Sequence, residues 1–574
     1  NVISGNLERG IRLIRVTDNK IAGNFVGTDA TGTARLGNLH QGVYVQGVST
    51  RNIIGTEGDG VGDAAERNVI SASGFVGVFI TGASHENVVA GNFVGTDVTG
   101  TVDLGNGGAG AVRLLNGSHN NRIGTNFDGT SDELERNVIS GNSRGVQIDG
   151  AGTNDNIVAG NYIGVDVTGQ IALDNDTQGV YVTNGPKRNV IDRNVISGNA
   201  HHGVLIRGTA SGPFPVFHWP AADGGNGHYY VLGPSTTWID AEATAVEMGG
   251  HLASITSAQE QAFLESVLLP TDERFFLGLT DKDDEGNFSW TTGEPVTFTN
   301  WNPGQPDNWP FAGPDGEDVG QFNWPSGGTW NDIGSATRNR GIIELDEAPD
   351  LDLLAALATT RENHVIGNFI GTNADGTTAL PNGIVGIQVD GGAHSNIIGT
   401  DGNGQNDEDE GNVISGNIGS GIALWDSLHT TVAGNFIGTD VTGTQIVGNG
   451  RGTGFGISVS GNSQFNVIGT DGDGNSDAAE RNLISGNDVW SAVFLAGAGT
   501  TNNVVAGNLI GTDVTGTLDL GNNATGVEIK DDASFNRIGT NADGVSDALE
   551  RNIISGNSSR GVFIWSQFAG PPRF

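Results

Sequence analysis

The sequence predicts a mainly β protein, a parallel β-helix of about thirteen rungs that is interrupted by one inserted α+β domain. A short alternating apolar segment occurs thirteen times, at intervals of mostly 32–36 residues, and Gly accounts for 94 of the 574 residues. The repeat stops for about 150 residues near the middle of the chain, where prolines and tryptophans are concentrated instead. Regular repetition predicts a solenoid, and one change of composition predicts an insertion.

Each repeat contains a three-residue segment whose outer positions are aliphatic and whose middle position varies. Val43-Tyr44-Val45 and Val112-Arg113-Leu114 are two examples. Because alternation with one constant face is the pattern of a strand that buries that face, each segment is predicted to be a strand. The first apolar residues of these segments are at positions 11, 43, 78, 112, 146, 180, 204, 387, 422, 457, 493, 527 and 562.

The interval from Val180 to Val204, 24 residues, gives the length of one coil without an added loop. Units such as residues 87–92 fit between these strands as short strands with a Gly-Asn corner, because both residue types tolerate left-handed backbone angles. Stacked strands lie about 4.8 Å apart, so the solenoid is predicted to be roughly 60 Å long. The repeats resemble bacterial right-handed β-helix proteins over about three quarters of the chain, and right-handed winding is also the usual chirality of parallel crossovers.

Two types of loop are added to the coils. One reads GTDVTGT and ends in LGN, as in residues 95–106, and the other is acidic, as in residues 471–480. Oxygen donors at alternate positions suit calcium. However, the acidic loop lacks the Gly of an EF-hand at its sixth position, and charges that only keep the solenoid soluble are the alternative. The candidate calcium ligands of this loop are Asp471, Asp473, Asn475 and Asp477.

The interruption begins after Ile206 and ends before Asn363, and it contains 12 of the 16 prolines and 7 of the 10 tryptophans. A folded domain can occupy a corner of a solenoid if its own termini are adjacent. The change of composition predicts four segments: an N-terminal β-helix at 1–210, an inserted domain at 213–348, a linker at 349–360 and a C-terminal β-helix at 361–574.

Two helices are predicted inside the insertion. One covers residues 238–248 and is ended by Gly249-Gly250. The other covers residues 257–268, with Ser257 as its N-cap and Glu260 completing a capping box. The rest of the insertion reads as short strands and long loops.

Six motifs follow one another inside the insertion in a fixed order. They are GGHLASI (249–255), FLGLTD (276–281), NWNPGQPDNW (300–309), GEDV (316–319), GTWNDI (328–333) and GIIEL (341–345). In this order they are similar to the C-type lectin-like fold over residues 220–347. The resemblance implies that the first and last strands of the domain pair, as insertion at one corner requires. The chain has no cysteine, and the family's usual disulfide positions hold Ala245, Val319, Ser335 and Ile343.

Five oxygen-bearing side chains fall on predicted loops of the insertion. Three carboxylates and two amides suit a hard divalent ion, since calcium takes six to eight oxygen ligands and so leaves positions for outside groups. The sequence therefore predicts a primary calcium site. Its candidate ligands are Gln305, Asp307, Glu317, Asn331 and Asp332.

The lectin resemblance implies that two neighbouring sugar hydroxyls complete this site and that Pro306 is cis. The triplet Gln305-Pro306-Asp307 resembles the galactose-type motif, which implies terminal galactose or N-acetylgalactosamine as the ligand. Trp309 stands where such members place an aromatic ring against the apolar face of the sugar. The same triplet is also frequent in lectin-like domains that bind no sugar. The implied carbohydrate-binding residues are Gln305, Asp307, Trp309, Glu317, Asn331 and Asp332.

The resemblance also implies an auxiliary calcium site, for which a solvated acidic rim is the alternative. Asn308 stands at this site where an Asp is usual, which should weaken it. Trp290, Trp301 and Trp330 sit in apolar contexts and are predicted to be core residues. The residues assigned to the auxiliary site are Asp281, Glu285, Asn308 and Asp318, with Glu317 shared between the two sites.

Charge and composition exclude several classes of function. The net charge of −39 argues against binding to nucleic acid or anionic membranes, which select for Lys and Arg. The absence of cysteine excludes disulfides, thiol catalysis and Cys-based zinc sites. The sequence also lacks an apolar run of the roughly 18 residues needed to span a bilayer. Because the chain starts inside a repeat and without Met, we expect a piece of a longer protein.

An enzyme is the main competing interpretation, since parallel β-helices often act on polysaccharides. The best acidic cluster is found in one coil only, and the isolated arginines and the pair His201-His202 read as solvated surface groups. No nucleophile elbow or phosphate loop is present. The cluster comprises Glu528, Lys530, Asp531 and Asp532, and the isolated arginines are Arg12, Arg113 and Arg207.

These observations favour an extracellular or cell-surface protein that binds carbohydrate through calcium and acts in adhesion. A lectin-like domain on a β-helix stalk would bind glycans, without membrane insertion and with a protein partner left open. The first alternative is a polysaccharide lyase or glycoside hydrolase that the inserted domain keeps on its substrate. The second is a structural surface spacer whose insertion binds protein.

Overall fold

The computed structural model describes residues 1–208, 216–221, 225–268, 273–282, 284–309, 316–335, 337, 339–348, 360–451 and 454–566. The chain forms two compact units, one made of Asn1–Thr209 with Thr360–Phe574 and the other of Ala210–Thr359. Except for Thr360, the linker predicted at 349–360 lies outside the described residues.

The first unit consists of three parallel sheets, to which each rung contributes one short strand. In each sheet a strand pairs with the strand one rung away. The described strands of the first sheet, in order, are Val2–Ile3, Phe25–Val26, Val69–Ile70, Phe93–Val94, Val138–Ile139, Tyr162–Ile163, Val195–Ile196, Phe369–Ile370, Val413–Ile414, Phe436–Ile437, Leu483–Ile484, Leu509–Ile510 and Ile553–Ile554.

The second sheet contains the alternating segments that define the repeat. Val112 lies beside Val78 on one side and Val146 on the other, with Leu114 beside Ile80 and Ile148 in the same register. The predicted mainly β fold with a parallel solenoid is confirmed. The described strands of this sheet are Ile11–Ile14, Val43–Gln46, Val76–Thr81, Gly110–Leu115, Val146–Asp149, Val180–Thr183, Val204–Arg207, Ile387–Asp390, Ile422–Trp425, Phe455–Ser460, Ser491–Ala496, Thr525–Lys530 and Val562–Trp565.

The third sheet closes each rung and precedes the acidic loops. Its described strands are Lys20–Ile21, Ile53–Gly55, Val88–Ala90, Arg122–Gly124, Ile157–Ala159, Val190–Asp192, His364–Ile366, Ile397–Gly399, Thr431–Ala433, Val467–Gly469, Val504–Ala506 and Arg537–Ile538. Short helical turns occur in three of the acidic loops, namely α1 (Asp63–Glu66), α2 (Asp132–Glu135) and a 3-10 turn (Asp407–Asp409). The inward aliphatic side chains of the three sheets form one buried cluster that runs from Leu13 to Ile529.

The asparagines at the corners have a different role from the one predicted. Gly91 has φ +73° and Glu86 has φ +56°, so the left-handed corner positions are the residues that precede Asn92 and Asn87. Both asparagines are fully buried. Each belongs to a ladder in which one side-chain amide donates to the next, a known means of stabilising stacked strands. The ladder of Asn92 joins Asn24, Asn68, Asn92, Asn137, Asn161, Asn194, Asn368, Asn412, Asn435, Asn482, Asn508 and Asn552, with N···O distances of 2.8–3.1 Å.

The solenoid is continuous across the insertion. The strand Val204–Arg207 pairs directly with Ile387–Asp390, and Asn194 donates to Asn368 at 3.0 Å. The Thr360 hydroxyl donates to the carbonyl of Arg207 at 2.7 Å. The chain therefore leaves the solenoid and rejoins it at neighbouring points, as an inserted domain requires.

The second unit is an α+β domain built on one sheet. Its first long strand and its last strand, Tyr229–Thr236 and Asn339–Leu345, are antiparallel neighbours, and Phe275–Thr280 runs parallel to the last strand. The other described strands of the sheet are Val216–His218, His251–Leu252, Ser289–Trp290, Val319–Phe322 and Trp330–Ile333.

Two helices pack on this sheet close to the predicted positions. Helix α3 (Trp238–Glu247) begins after its N-cap Thr237, whose hydroxyl accepts from the N–H of Asp240. Helix α4 (Ala258–Leu268) begins after Ser257, whose hydroxyl accepts from the N–H of Glu260 at 3.1 Å. The Glu260 carboxylate accepts from the N–H of Thr256 at 2.9 Å, one residue before the N-cap, where a capping box would use the N-cap itself.

Three of the four positions at which the lectin resemblance implies cysteines hold buried apolar side chains, and Ser335 is the fourth. Ala245, Val319 and Ile343 are each fully buried, and all three belong to one cluster with Trp238 and Leu252. A disulfide typically contributes about 2–5 kcal/mol to a small domain. In this chain, these three positions belong to the apolar cluster between α3 and the sheet, so hydrophobic packing stands where a disulfide would otherwise stabilise the domain.

Candidate metal centre

The candidate ligands come from one strand, from the segment that leads into its neighbouring strand and from the long loop before them. Asn331 and Asp332 lie in the strand Trp330–Ile333, opposite Gln321 and Gly320 of the strand Val319–Phe322. The loop is held against Trp330, whose carbonyl accepts from the N–H of Asn302 at 2.9 Å. The motif that begins at Asn300 is therefore fixed next to the strand that carries two of the ligands.

Three carboxylates converge at this place. One oxygen from each of Asp307, Glu317 and Asp332 lies within 4.8 Å of the others. The Asp332 carboxylate also accepts from the N–H groups of Asp307 at 3.2 Å and Asn308 at 2.7 Å. Within the described residues, none of the three acids forms an ion pair with Lys, Arg or His. Three like charges so close together favour either protonation or a bound cation.

The environment makes proton loss from Glu317 and Asp332 difficult. Burial raises the pKa of Glu317 to about 7, and the negative charges of Asp332 and Asp307 add to this rise. The hydrogen bond from the backbone N–H of Trp309 opposes it. Burial also raises the pKa of Asp332, against the N–H groups of Asn308 and Asp307, which lower it. A cation would reverse these shifts because it stabilises the ionised carboxylates.

The two amides add further oxygen donors. The Gln305–Pro306 peptide bond is cis. The Oε1 atom of Gln305 is buried and has no hydrogen-bond partner, which is costly for a polar atom unless a ligand satisfies it. Asn331 is buried, and its Nδ2 donates to the carbonyl of Asp332, so that bond does not use its amide oxygen. A set of carboxylate and amide oxygens fits calcium.

The tryptophans of the insertion divide into two groups. Trp309 is 55% exposed, and its backbone N–H donates to the Glu317 carboxylate at 2.9 Å. In contrast, Trp290 and Trp330 are buried, and Trp301 is half-buried and contacts the edge of Trp330. The predicted core tryptophans are therefore core residues, whereas Trp309 is exposed and contacts the acidic group through its backbone.

The residues of the auxiliary site are linked differently. Asp281 is buried; its Oδ2 accepts from the N–H of Gly286 at 2.9 Å, while its Oδ1 has no hydrogen-bond partner. Asn308 donates to the Glu285 carboxylate and accepts from the N–H of Glu317, so its amide bridges the two sites. The described residues contain no group of three acids that includes Asp281, Glu285 or Asp318. An amide at position 308 thus binds Glu285, where an Asp would have repelled it.

The acidic loop of the solenoid brings together only part of its predicted set. Asp471 and Asp477 form a group with Glu480, and burial raises the pKa of Glu480 to about 7. Asp473 does not join this group, and its Oδ1 accepts from the N–H of Asn475 in a turn. The side chain of Asn475 donates instead to the carbonyl of Gly402.

A further acidic group was not predicted. Asp401, Asp407 and Glu410 converge in the same way in the loop at 400–410. The signal was present in the sequence, because TDGNGQNDEDE at 400–410 aligns with TDGDGNSDAAE at 470–480.

The charges considered for catalysis are mostly used in contacts between rungs. Arg113 pairs with Asp149 at 2.6 Å and Arg207 with Asp390 at 2.6 Å, so the prediction that these arginines are solvated single charges is wrong. In both cases the partner lies one rung away in the second sheet. Arg12 packs over the ring of Tyr44.

The cluster around Glu528 does not form a group of acids. The Glu528 carboxylate accepts from the indole N–H of Trp565 at 2.8 Å, and Lys530 lies 3.7 Å from Asp531, whereas Asp532 accepts from Ser566. Glu528 also lines a cavity of about 350 Å³ together with Trp490 and Phe563.

The pair His201-His202 is only partly at the surface. His201 is exposed, whereas burial lowers the pKa of His202, whose Nε2 lies 3.1 Å from the amide oxygen of Gln388. Among the helices of the described segments, we find none with the length and apolar character needed to cross a bilayer.

Comparison with known proteins gives matches in the insertion. Residues 234–342 match the family model of the Lectin C-type domain. The low affinity immunoglobulin epsilon Fc receptor of Mus musculus is 39% identical over 104 residues, which are 18% of this chain and 29% of the receptor. The versican core protein of Rattus norvegicus is 31% identical over 147 residues, 25% of this chain and 5% of versican. The chain thus spans less than a third of the length of these relatives.

Solved structures also match this part of the chain. The mouse scavenger receptor C-type lectin carbohydrate-recognition domain is 31% identical, with 21% of this chain and 90% of that chain covered and a TM-score of 0.19. The C-type lectin CEL-I from Cucumaria echinata is 35% identical, with coverages of 20% and 89% and a TM-score of 0.19. A calcium-independent type II antifreeze protein is 25% identical, with coverages of 21% and 88% and a TM-score of 0.18.

Proposed function

Because residues 234–342 form a C-type lectin domain, we propose that the chain is an extracellular, calcium-dependent carbohydrate-binding protein that acts in adhesion. The observation that carries this proposal is the convergence of Asp307, Glu317 and Asp332, together with the unpartnered amide oxygen of Gln305, two residues before Asp307. The resemblance of the repeats to bacterial right-handed β-helix proteins supports a bacterial origin and a right-handed solenoid that serves as the scaffold of the lectin domain, and the absence of cysteine is compatible with secretion.

Calcium would be held by the five predicted ligands: Gln305, Asp307, Glu317, Asn331 and Asp332. Bound calcium supplies a hard Lewis acid with coordination positions that two vicinal sugar hydroxyls can fill. The chain's own groups then fix the orientation of the sugar, since carboxylate and amide oxygens accept from its hydroxyls and amide N–H groups donate to them.

Trp309 adds the apolar part of the recognition. Its exposed indole next to the acidic group can stack on the apolar face of a sugar, a contact that is typical of carbohydrate sites. Together with the Gln-Pro-Asp triplet, the ring favours terminal galactose or N-acetylgalactosamine as the ligand.

A glycan-array assay on the whole chain tests the proposal. We expect binding to terminal galactose or N-acetylgalactosamine in calcium and its loss in chelator. Asp307→Asn should weaken sugar binding at least about tenfold, because one ligand and one charge are removed from the group. The matched control is Glu294→Gln, an exposed acid of the same domain that is absent from the group.

Two results would contradict this proposal. Failure to bind any glycan in either buffer would favour a structural spacer whose insertion binds protein. Binding that persists in chelator, and in the Asp307→Asn variant, would move the sugar site away from the acidic group.

A second candidate function is suggested by the cavity that Glu528 lines with Trp490 and Phe563. An acid beside an exposed and a half-buried aromatic ring on a β-helix is compatible with a polysaccharide lyase or glycoside hydrolase. Incubation with acidic and with neutral polysaccharides separates the two functions. Chain shortening that Glu528→Gln abolishes would support the enzyme, and intact polysaccharides would exclude these substrates.

A further inference from the structure

Five loops of the solenoid share one acidic pattern. Each begins with Thr, has Asp seven positions later and Glu three positions after that. In at least four of them the Glu carboxylate accepts from the second N–H of its own loop, at 3.1–3.2 Å, and thereby closes the loop. The five loops occupy residues 56–66, 125–135, 400–410, 470–480 and 540–550.

In three of these loops a basic side chain from the third sheet neutralises the Glu. Arg122 pairs with Glu135 at 2.9 Å, and Arg537 pairs with Glu550 at 2.7 Å. Each of these arginines is the first residue of the strand that leads into its own loop.

The first loop uses a base from the preceding rung. Lys20 contacts both Glu57, at 2.8 Å, and Glu66. In the register of the third sheet, Lys20 lies beside Ile53, which holds the place that Arg122 and Arg537 hold in their loops. A counter-charge can thus come from either of two neighbouring positions.

The loop at 400–410 has neither counter-charge. Its own strand begins with Ile397, and the neighbouring position in the preceding rung is His364. Among the described residues, no ion pair joins His364, or any Lys or Arg, to Asp401, Asp407 or Glu410. The three carboxylates nevertheless converge, with one oxygen of each within 4.8 Å of the others.

A second observation points to a ligand at the same place. Asp407 is only 8% exposed, and its Oδ1 has no hydrogen-bond partner. In the four other loops, this oxygen accepts from the hydroxyl of the first Thr, at 2.6–2.9 Å. An unsatisfied buried carboxylate oxygen beside two further carboxylates is strongly unfavourable unless a cation is bound. The residues that accept in the other loops are Asp63, Asp132, Asp477 and Asp547.

We propose that Asp401, Asp407 and Glu410 bind a divalent cation that replaces the Lys or Arg of the sister loops. All three donors are hard carboxylate oxygens, so the cation belongs to the calcium class. The cation locks the loop to its rung as the ion pairs of Arg122 and Arg537 do. The strand that leads into the loop at 470–480 also begins without a basic residue, at Val467. However, Asp477 in that loop accepts hydrogen bonds from Thr470 and Ser546. The proposal therefore concerns the loop at 400–410.

Counting bound calcium on the full chain tests this site independently of the lectin domain. The parent protein carries Asp307→Asn, which disables the predicted lectin site, and equilibrium dialysis is performed at about 1 mM calcium, the range of extracellular calcium modules. We expect the parent to retain bound calcium. Ile397→Arg should lower the number of bound ions by one, because the introduced guanidinium takes the place of the cation.

Two further variants complete the test. Asp407→Asn, which is nearly isosteric, should also lose one bound calcium. The matched control is Ile53→Arg, at the same strand position of a loop that Lys20 already neutralises, and it should lose none. The proposal is overturned if the parent binds no calcium, or if Asp407→Asn and Ile397→Arg bind as many ions as the parent.

Discussion

The Asn ladders make a prediction about the stability of the solenoid, which can be worked out at Asn121. This buried side chain donates to the Asn156 side-chain oxygen at 3.0 Å and to the carbonyls of Ser84 and His119 at 3.1 and 3.0 Å. Its own oxygen accepts from the backbone N–H and from the side-chain amide of Asn87, both at 3.0 Å. Replacing Asn121 with Ala removes all five of these contacts and leaves the backbone strands in place.

The expected loss follows from the groups that are left unpaired. A buried donor without a partner costs about 1–3 kcal/mol, and this applies to the N–H of Asn87. The carbonyls of Ser84 and His119 each lose one bond with a net value of about 1 kcal/mol. Asn121→Ala should therefore lower the local free energy of unfolding by about 3–5 kcal/mol, which is large for one polar side chain.

The assay is hydrogen exchange followed by mass spectrometry, because a solenoid can open locally around one rung. Exchange of the Asn87 amide should accelerate at least about 100-fold, since about 1.4 kcal/mol corresponds to a factor of ten. The control is Asn120→Gly. Asn120 is exposed with φ +53°, a conformation that Gly adopts readily, so we expect a change of less than about 0.5 kcal/mol. Equal exchange of Asn87 in both variants would show that the ladder does not stabilise the rungs.

Four further predictions concern the lectin domain and the second sheet. Because Glu317 must be ionised to bind calcium and its pKa is about 7, calcium affinity measured by calorimetry should fall about tenfold from pH 8 to pH 6, and Glu317→Gln should remove this slope. Because folding raises the pKa of Glu317, protonated Glu317 stabilises the metal-free domain. This contribution to the free energy of unfolding is complete below the ordinary Glu pKa of 4.5 and is lost as the pH rises through about 7, which thermal unfolding at several pH values can follow. Trp309→Ala should weaken sugar binding about tenfold in surface plasmon resonance while calcium affinity stays unchanged, since its ring is not a ligand. Arg113→Met leaves the buried Asp149 without its cation and should cost about 1–3 kcal/mol in denaturant unfolding, whereas Arg12→Met, over an exposed face, should cost less than about 0.5 kcal/mol.

The parts of the fold that depend on local periodicity could be predicted from the sequence. The alternation at Val112 and Leu114 fixes which side of the strand is buried, and thirteen copies of it fix the number of strands in the second sheet. The N-cap of α4 was also predictable, because Ser257 and Glu260 act within one turn of each other. In these cases the physical cause lies within a few residues along the chain.

Features that depend on stacking could not be predicted in the same way. A corner Asn next to Gly is compatible both with a left-handed turn and with a buried ladder, and only the neighbouring rung shows that Asn92 belongs to the ladder. Arg113 and Asp149 are 36 residues apart, so their ion pair depends on the lengths of two loops. From sequence alone, such an arginine reads as an isolated surface charge.

The candidate lectin site could be predicted only in part from the sequence. The motifs give the residue types, but the fold decides which carboxylates meet. Asp307, Glu317 and Asp332 converge because the strand Trp330–Ile333 carries Asp332, the segment just before the neighbouring strand carries Glu317, and the loop held by Trp330 carries Asp307. Asn308 prevents the same outcome at the auxiliary site, since its amide binds Glu285.

The acidic loops show why ligand spacing along the chain is a weak guide in a solenoid. Alternating Asp and Asn from 471 to 477 suggest a row of calcium ligands, but Asp471 and Asp473 each accept from the N–H two residues later, so the alternation belongs to a series of turns. The acids that converge are instead separated by three and six positions, as in Asp401, Asp407 and Glu410. Whether they need a cation depends on the third sheet, which supplies a base either from the loop's own strand, as with Arg537, or from the preceding rung, as with Lys20. A cation site in such a protein is therefore best sought by comparing sister loops and asking which of them lacks its base.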